Sequence, residues 1–122
     1  MTSATTGPMI VVVDDLRLFR AFPATYARTS SEAVELLTDR HSRKETIDEL
    51  WLDHDLGGGD DINPVVNWIM KHCVWNDRPR IEHIVVHTSN PVGAAMITRS
   101  LQRWYQVTRV SAADYQMGII DD

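Results

Sequence analysis

The sequence predicts a single α/β domain with a five-stranded parallel sheet. Three short apolar runs, two of them rich in β-branched residues, are typical of strands that are buried on both faces. Two further runs mix polar and apolar residues, as edge strands do, and helical patterns lie between the runs. Because strands that alternate with helices connect by right-handed crossovers, we expect the strand order 2-1-3-4-5.

The five predicted strands, in chain order, are residues 9–13, 25–28, 50–52, 84–86 and 106–110. The first and third stop at Asp14 and Asp53, so a polar residue follows each of these buried strands. The connection over residues 14–24 has about the minimum length of a crossover and contains Pro23. We therefore expect the first crossover helix to be short or irregular.

Three helix starts carry capping signals. Thr29 and Glu32 fit a capping box at the start of the first long helical pattern. Asn63 and Asn90 each precede a proline at the first helical position, where the missing N–H of the ring carries no cost. The apolar stripes that follow, which include Cys73, predict core faces rather than a cofactor site.

Composition excludes several classes of function. The chain has 122 residues, a net charge of −5 and one cysteine, which cannot form an internal disulfide. No apolar run reaches the ~20 residues of a membrane span, and residues 1–7 lack the features of a signal peptide. We therefore expect a cytoplasmic protein without membrane contact. An acidic chain with no basic run is also not expected to bind duplex nucleic acid.

The acidity is concentrated in the first half of the chain, and part of it falls at one predicted end of the sheet. The first half of the chain carries twelve acidic and six basic residues. In the order 2-1-3-4-5, ligands bind beyond the carboxyl ends of the first and third strands, where Asp14, Asp15 and Asp53 lie. Like charges in a cleft are costly unless a cation binds or some of the carboxylates are protonated. Oxygen ligands suit Mg²⁺, so we expect a metal site here. The alternative is that Asp14 or Asp15 caps a turn. We interpret Asp60 and Asp61 as solvated turn residues.

Two histidines at strand ends indicate acid–base chemistry. His54 and His87 follow the third and fourth predicted strands, and their polar sequence neighbours predict that neither fills the core. His54 alternates with Asp53 and Asp55, so we expect it to point to the opposite face. We expect His87 to be the better candidate for acid–base work, because it precedes the helix start at Asn90, whose backbone N–H groups favour a phosphate. The alternative is a histidine that only hydrogen-bonds a carboxylate.

Arginines are the predicted anion contacts, since the chain has ten arginines and two lysines. Arg17 and Arg28 flank the acidic end of the sheet and could clamp a phosphate or neutralise the aspartates; pairing at the surface is an equal alternative. We predict no role for the remaining histidines, which are His41, His72 and His83.

The motifs at the strand ends resemble those of response-regulator receiver domains. They read Val13-Asp14-Asp15, then Leu52-Asp53-His54-Asp55-Leu56-Gly57, then Val86-His87-Thr88-Ser89. The resemblance implies that the acidic pair and Asp53 bind Mg²⁺, that Asp53 accepts a phosphoryl group, and that Thr88 or Ser89 supplies a hydroxyl. Receivers also carry a lysine at the end of the fifth strand; here that lysine is absent and only Arg109 lies nearby.

A closer resemblance, over about residues 10–110, is to cyclic-phosphate-processing receiver domains. The shared pattern reads Asp14-Asp15-x-Arg17, then Leu52-Asp53-His54-Asp55-Leu56-Gly57, then His87-Thr88-x-Asn90-Pro91-x-Gly93. It implies a receiver-like, flavodoxin-like three-layer domain over residues 9–110. A flexible N-terminus at residues 1–8 and a C-terminal tail or short helix at residues 111–122 would flank this domain.

The function that this resemblance implies is a metal-dependent phosphoesterase acting on a cyclic nucleotide or a 2′,3′-cyclic phosphate end. Mg²⁺ or Mn²⁺ would be bound by Asp14, Asp15 and Asp53. The implied catalytic residues are His87, His54, Asp55 and Thr88, and the implied phosphate contacts are Arg17, Arg28, Ser89 and Asn90. The alternative is a non-catalytic receiver-like signalling or nucleotide-binding module that uses Asp53 as phosphoacceptor or ligand contact. A third interpretation is an interaction protein with an acidic, tryptophan-bearing surface.

Overall fold

Seven strands and three helices are found in the computed structural model, which describes residues 8–15, 17–19, 23–110 and 119–121, with 17–19 and 119–121 as backbone only. The strands are β1 (Ile10–Val13), β2 (Arg17–Phe19), β3 (Thr25–Ala27), β4 (Ile47–Leu52), β5 (Ile81–Val86), β6 (Val107–Arg109) and β7 (Ile119–Asp121). The helices are α1 (Ser30–Ser42), α2 (Asn63–Val74) and α3 (Pro91–Leu101). None of these three described helices is long and apolar enough to cross a membrane.

The main sheet has five strands in the order β3-β1-β4-β5-β6, and every neighbouring pair is parallel. Numbered by the five predicted strands, this is 2-1-3-4-5, so the predicted order is confirmed. Parallel strands place all their carboxyl ends together, so the connections that follow β1, β4 and β5 leave from one end of the sheet. We call this the carboxyl end of the sheet and its opposite the amino end.

All three described helices pack on one face of the sheet, in a single apolar cluster. Its buried strand members include Val11, Val13, Leu50, Leu52, Ile84 and Val86. Its buried helix members include Ala33, Leu37, Val66, Ile69, Ala94 and Ile97. The opposite face carries a smaller cluster around Ile10 and Val12, against which Tyr26 and Trp51 pack. The second helical layer of the predicted three-layer domain is not among the described residues.

The first connection differs from its prediction. Where we expected a short or irregular helix, residues Arg17–Phe19 form strand β2, which pairs antiparallel with β7. Part of the predicted C-terminal tail or short helix, Ile119–Asp121, is therefore a strand. Ile119 and Ile120 favour extended backbone, but their partner lies about a hundred residues away, so no local pattern shows the pairing. Residues 1–7, 16, 20–22, 111–118 and 122 lie outside the described part of the chain, and with them almost all of the predicted flexible N-terminus.

The helix starts confirm two of the three predicted caps. Thr29 caps α1 by accepting a hydrogen bond from the Glu32 N–H (3.1 Å), and Asn90 caps α3 by accepting from the Gly93 N–H (2.9 Å). The prediction for Asn63 is wrong, because this residue is already helical and donates its N–H to Asp61 (2.8 Å). The loop aspartate reaches the first turn of α2, so the cap position is displaced.

Helices α1 and α2 end in the same backbone arrangement. Lys44 follows the C-cap of α1 with φ 58°, and the N–H groups of Lys44 and Glu45 donate to the carbonyls of His41 and Arg40. Asn76 stands at the same position after α2, with φ 61°. This is the Schellman motif, in which the left-handed residue is usually glycine. A side chain at the Lys44 position therefore costs conformational energy that asparagine partly avoids.

Replacing Lys44 by glycine should stabilise the protein. We expect Lys44→Gly to raise the free energy of unfolding by about 0.5–1 kcal/mol, since glycine adopts positive φ without a Cβ–carbonyl contact. The midpoint of urea unfolding measures the change. Arg43→Gly is the matched control, because Arg43 has φ −88° and gains nothing from glycine. A Lys44→Gly variant no more stable than Arg43→Gly would contradict the prediction.

Candidate functional site

Three polar residues form one row across the carboxyl end of the sheet. Strands β1, β4 and β5 are paired up to their last residues. The ladder continues one residue further, because Asp53 N–H donates to the carbonyl of Val13 (3.1 Å) and His87 N–H donates to that of Leu52 (3.0 Å). Asp14, Asp53 and His87 are thus adjacent across three neighbouring strands, at the place where open α/β sheets bind ligands.

The carboxylates of Asp14, Asp15 and Asp53 come together, as the sequence predicts. Each offers an oxygen, and these oxygens all lie within 4.8 Å of one another. Asp14 is 1% exposed, whereas Asp15 and Asp53 are half-buried. We call this group the carboxylate cluster. Three carboxylates at this spacing repel one another, and their oxygens are the type of donor that could hold a hard divalent cation.

His87 is a buried residue, so the prediction that it does not fill the core is wrong. Its side chain is 0% exposed, and its Nδ1 lies 3.6 Å from Oδ2 of Asp14. The ring of Trp51 lies 5.6 Å from the imidazole, centroid to centroid. Polar sequence neighbours do not show this burial, because His87 continues the face of β5 that carries Val85, which is itself buried. His87 therefore contacts the carboxylate cluster from within the protein.

His54 lies on the other face of β4, as its alternation with Asp53 predicts. Its Nδ1 is 3.1 Å from Oδ1 of Asp55, and Oδ2 of the same aspartate is 3.5 Å from Nδ2 of Asn90. The imidazole packs against Gly93 of α3, where an added Cβ would lie 2.5 Å from Cγ of His54. The predicted residues His54, Asp55 and Asn90 are thus joined in one group at the start of α3.

The loop between β4 and α2 reaches over the carboxylate cluster. Gly57 has φ +78°, and a Cβ there would lie 2.7 Å from Oδ2 of Asp15. Only glycine meets both conditions, the positive φ and the close approach of the carboxylate. Asp55 and Asp61 form an isolated antiparallel bridge that closes this loop on itself.

Asp60 holds the same loop to the start of α1. Its carboxylate accepts hydrogen bonds from the N–H (2.7 Å) and the hydroxyl (2.6 Å) of Ser30. The hydroxyl and then the backbone N–H of Ser30 lower the pKa of Asp60. Asp60 and Asp61 are outside the carboxylate cluster, in agreement with a turn role. Each has a backbone partner in a neighbouring helix, however, rather than water alone.

The two predicted arginine contacts have different outcomes. Arg28 donates from Nη1 to the backbone carbonyl of Asp14 (3.0 Å), and its guanidinium lies 4.8 Å from the centroid of the Tyr26 ring. It therefore supports the backbone beside the carboxylate cluster. The backbone of Arg17 lies in β2, and its side chain is outside the described part of the structure.

Comparison with known families agrees with this arrangement. A sequence profile described as cyclic-phosphate processing receiver domain matches residues 9–103. The chain belongs to this family. The match extends from β1 to just beyond α3, so it includes every residue of the row and of the His54 group. A search of curated proteins finds no significant match.

One further positively charged side chain near the site, that of Arg109, was not among the predicted site residues. Arg109, at the end of β6, lines an open groove of about 320 Å³ together with Thr88 and Ser89. The hydroxyl oxygen of Thr88 also accepts a hydrogen bond from the N–H of Asn90 (3.2 Å). Its position in the sequence could have indicated this residue, since receivers carry a lysine at the end of the same strand. Arg109 provides a positive charge there with a different geometry.

The contact between Gly93 and His54 predicts an effect on stability. We expect Gly93→Ala to lower the free energy of unfolding of this receiver domain by about 1–3 kcal/mol, although alanine is the better helix former. The reason is the overlap of the new Cβ with the imidazole. In a His54→Ala background the same change should be neutral or stabilising. Equal costs in both backgrounds, measured by urea unfolding, would contradict the contact.

Asp60 predicts a pH dependence of stability. A lowered pKa in the folded state stabilises the protein above the unfolded value of about 3.9, and this contribution is lost as the pH falls through the folded pKa. We expect Asp60→Asn to cost about 1 kcal/mol at pH 7 and progressively less below about pH 4. Urea unfolding at several pH values measures the difference. Glu82→Gln, at an exposed carboxylate of β5, controls for the loss of one charge.

Proposed function

We propose that this receiver domain hydrolyses a cyclic phosphate, either a cyclic nucleotide or a 2′,3′-cyclic phosphate end. One P–O bond of the ring breaks, the oxygen of water bonds to phosphorus, and a proton passes to the leaving alkoxide, which gives a monoester. The observation that supports this proposal best is the convergence of Asp14, Asp15 and Asp53 within 4.8 Å. A divalent cation held by these three acids would allow a phosphate, itself an anion, to bind beside them.

A divalent cation fits the carboxylate cluster. The donors of Asp14, Asp15 and Asp53 are all oxygens, which Mg²⁺ and Mn²⁺ prefer. Gly57 supports the assignment, because its missing Cβ leaves room for the carboxylate of Asp15. When bound, such an ion lowers the pKa of a coordinated water and stabilises negative charge on a phosphate.

His54 is the residue that we assign to proton transfer. Its side chain is 18% exposed, so a substrate at the carboxyl end of the sheet can reach it. The carboxylate of Asp55, 3.1 Å from Nδ1, orients the ring. Nε2 is then the nitrogen that gives a proton to the leaving oxygen.

His87 is a positioning residue in this proposal. It is fully buried and therefore does not touch the substrate. Its Nδ1 lies 3.6 Å from Oδ2 of Asp14, and Trp51 packs beside the ring, so the imidazole restricts the orientation of that carboxylate. Partners that orient a metal ligand in this way typically change metal affinity by about 10–100-fold.

The groove beside the row is the place that we assign to the rest of the substrate. It is lined by Thr88, Ser89 and Arg109, which offer two hydroxyls and one guanidinium. The first turn of α3 adds backbone N–H groups and the positive end of its dipole. Arg28 lies at the opposite side of the carboxylate cluster, where its guanidinium could also contact a phosphate.

The second candidate is a non-catalytic module in which Asp53 accepts a phosphoryl group or contacts a nucleotide. The same carboxylate cluster supports it, because phosphotransfer to aspartate in receivers also uses a divalent cation. The guanidinium of Arg109 stands in the place of the usual lysine, which favours the hydrolytic proposal over phosphotransfer. The two candidates differ in turnover and in covalent modification of Asp53.

Purified protein incubated with 2′,3′- and 3′,5′-cyclic nucleotides and Mg²⁺ or Mn²⁺ tests the proposal, with products followed by ³¹P NMR. We expect monoester formation that stops on addition of a chelator. Asp53→Asn should lower kcat/KM at least about 100-fold, and His54→Gln about 10²–10⁴-fold. His87→Gln should raise the metal concentration needed for half-maximal rate by about 10–100-fold.

His83→Gln is the matched control, because His83 lies in the interior of β5, next to Thr108 (2.7 Å), away from the row. We expect its rate to equal that of the unchanged protein. Absence of turnover, with metal binding demonstrated by calorimetry, would overturn the hydrolytic proposal. In that case beryllofluoride binding that depends on Asp53 would support the receiver-like module.

A further inference from the structure

A second group of metal-type ligands lies at the amino end of the sheet, away from the carboxylate cluster. It consists of His41 near the end of α1, His72 near the end of α2, and Asp77 in the loop before β5. One donor atom from each of the three lies within 4.8 Å of the others. We call this group the His–Asp cluster. Neither the family match nor the proposed hydrolysis accounts for it.

Both imidazoles lie within hydrogen-bond distance of the same carboxylate oxygen. Oδ2 of Asp77 lies 3.0 Å from Nε2 of His41 and 3.1 Å from Nδ1 of His72. Two ligand atoms on a tetrahedral Zn²⁺, each about 2.0–2.1 Å from the ion, are about 3.3–3.4 Å apart. The observed separations differ from that value by a few tenths of an ångström, so small side-chain rotations would admit an ion.

Backbone structure and packing hold the three groups in place. After α2, the left-handed Asn76 turns the chain back, and the N–H of Asp77 donates to the carbonyl of His72 (2.8 Å). The ring of Trp68 lies 4.3 Å from that of His72 and 5.8 Å from that of His41, centroid to centroid. The two imidazoles are 20% and 28% exposed and Asp77 is 61% exposed, so an ion can enter from solvent.

We propose that His41, His72 and Asp77 form a second metal site, which takes a borderline divalent transition ion such as Zn²⁺ and links the ends of α1 and α2. Two imidazoles and one carboxylate suit this class of ion, whereas Mg²⁺ prefers oxygen ligands. Three protein ligands leave at least one position for water.

Zinc titration of the whole chain, without an affinity tag and stripped by a chelator, tests this site. A chromophoric zinc chelator competes for the ion, and excess Mg²⁺ occupies the oxygen-only carboxylate cluster. We expect one zinc ion per chain, with affinity reduced at least about tenfold in His72→Gln and in Asp77→Asn. His83→Gln, the matched histidine outside the cluster, should bind zinc as tightly as the unchanged protein.

Two further readouts separate ligand loss from unfolding. Zinc should raise the midpoint of thermal unfolding of the unchanged protein but not of His41→Gln, since an ion that binds only the folded state stabilises it. Ni²⁺ should quench tryptophan fluorescence, and Trp68→Phe should remove most of that quenching. Equal zinc affinity in the unchanged protein and in His72→Gln and Asp77→Asn would overturn the proposal. So would an equal loss in His83→Gln. None of these results depends on hydrolytic activity.

Discussion

The parallel register of β1, β4 and β5 is the constraint on which the candidate site depends. Two backbone hydrogen bonds carry the ladder one residue beyond the strands and bring Asp14, Asp53 and His87 into a row. A slip of one residue would turn each of these side chains to the opposite face of the sheet. A slip of β1 would draw Asp14 into the apolar part of the sheet or push the buried Val13 beyond its end, and either change costs free energy. The core thus determines which side chains meet at the carboxyl end.

Close approach is the second requirement of the site, and glycine provides it twice. Gly57 lets the loop after β4 come near the carboxylate of Asp15, and Gly93 lets α3 come near the imidazole of His54. The loop is in turn held to the start of α1 by Asp60. The carboxylate cluster and the His54 group are therefore fixed by contacts with two different helices, which allows acids and a histidine to share one end of the sheet.

Two aspartates, Asp60 and Asp77, each accept two hydrogen bonds, at opposite ends of the helical layer. Asp60 takes both of its bonds from one residue, Ser30 at the start of α1, and so acts as a cap. Asp77 takes its bonds from His41 and His72 on different helices, and so connects the ends of α1 and α2. Because the partners of Asp77 are two imidazoles on different helices, the second arrangement suits a metal ion, whereas the first is purely structural.

Local sequence patterns determined the strand order, two of the helix caps and the carboxylate cluster. The apolar runs show which strands are buried, and the cap residues are followed directly by their helices. The carboxylate cluster follows because parallel strands end at the same edge of the sheet. The alternation around Asp53 also placed His54 on the correct face. Only the tertiary structure decided that His87 is buried, that β2 pairs with β7 and that His41, His72 and Asp77 meet. In each of these cases at least one partner lies far away in the chain, as His41 does from His72 and Asp77, so no window of neighbouring residues contains the whole contact.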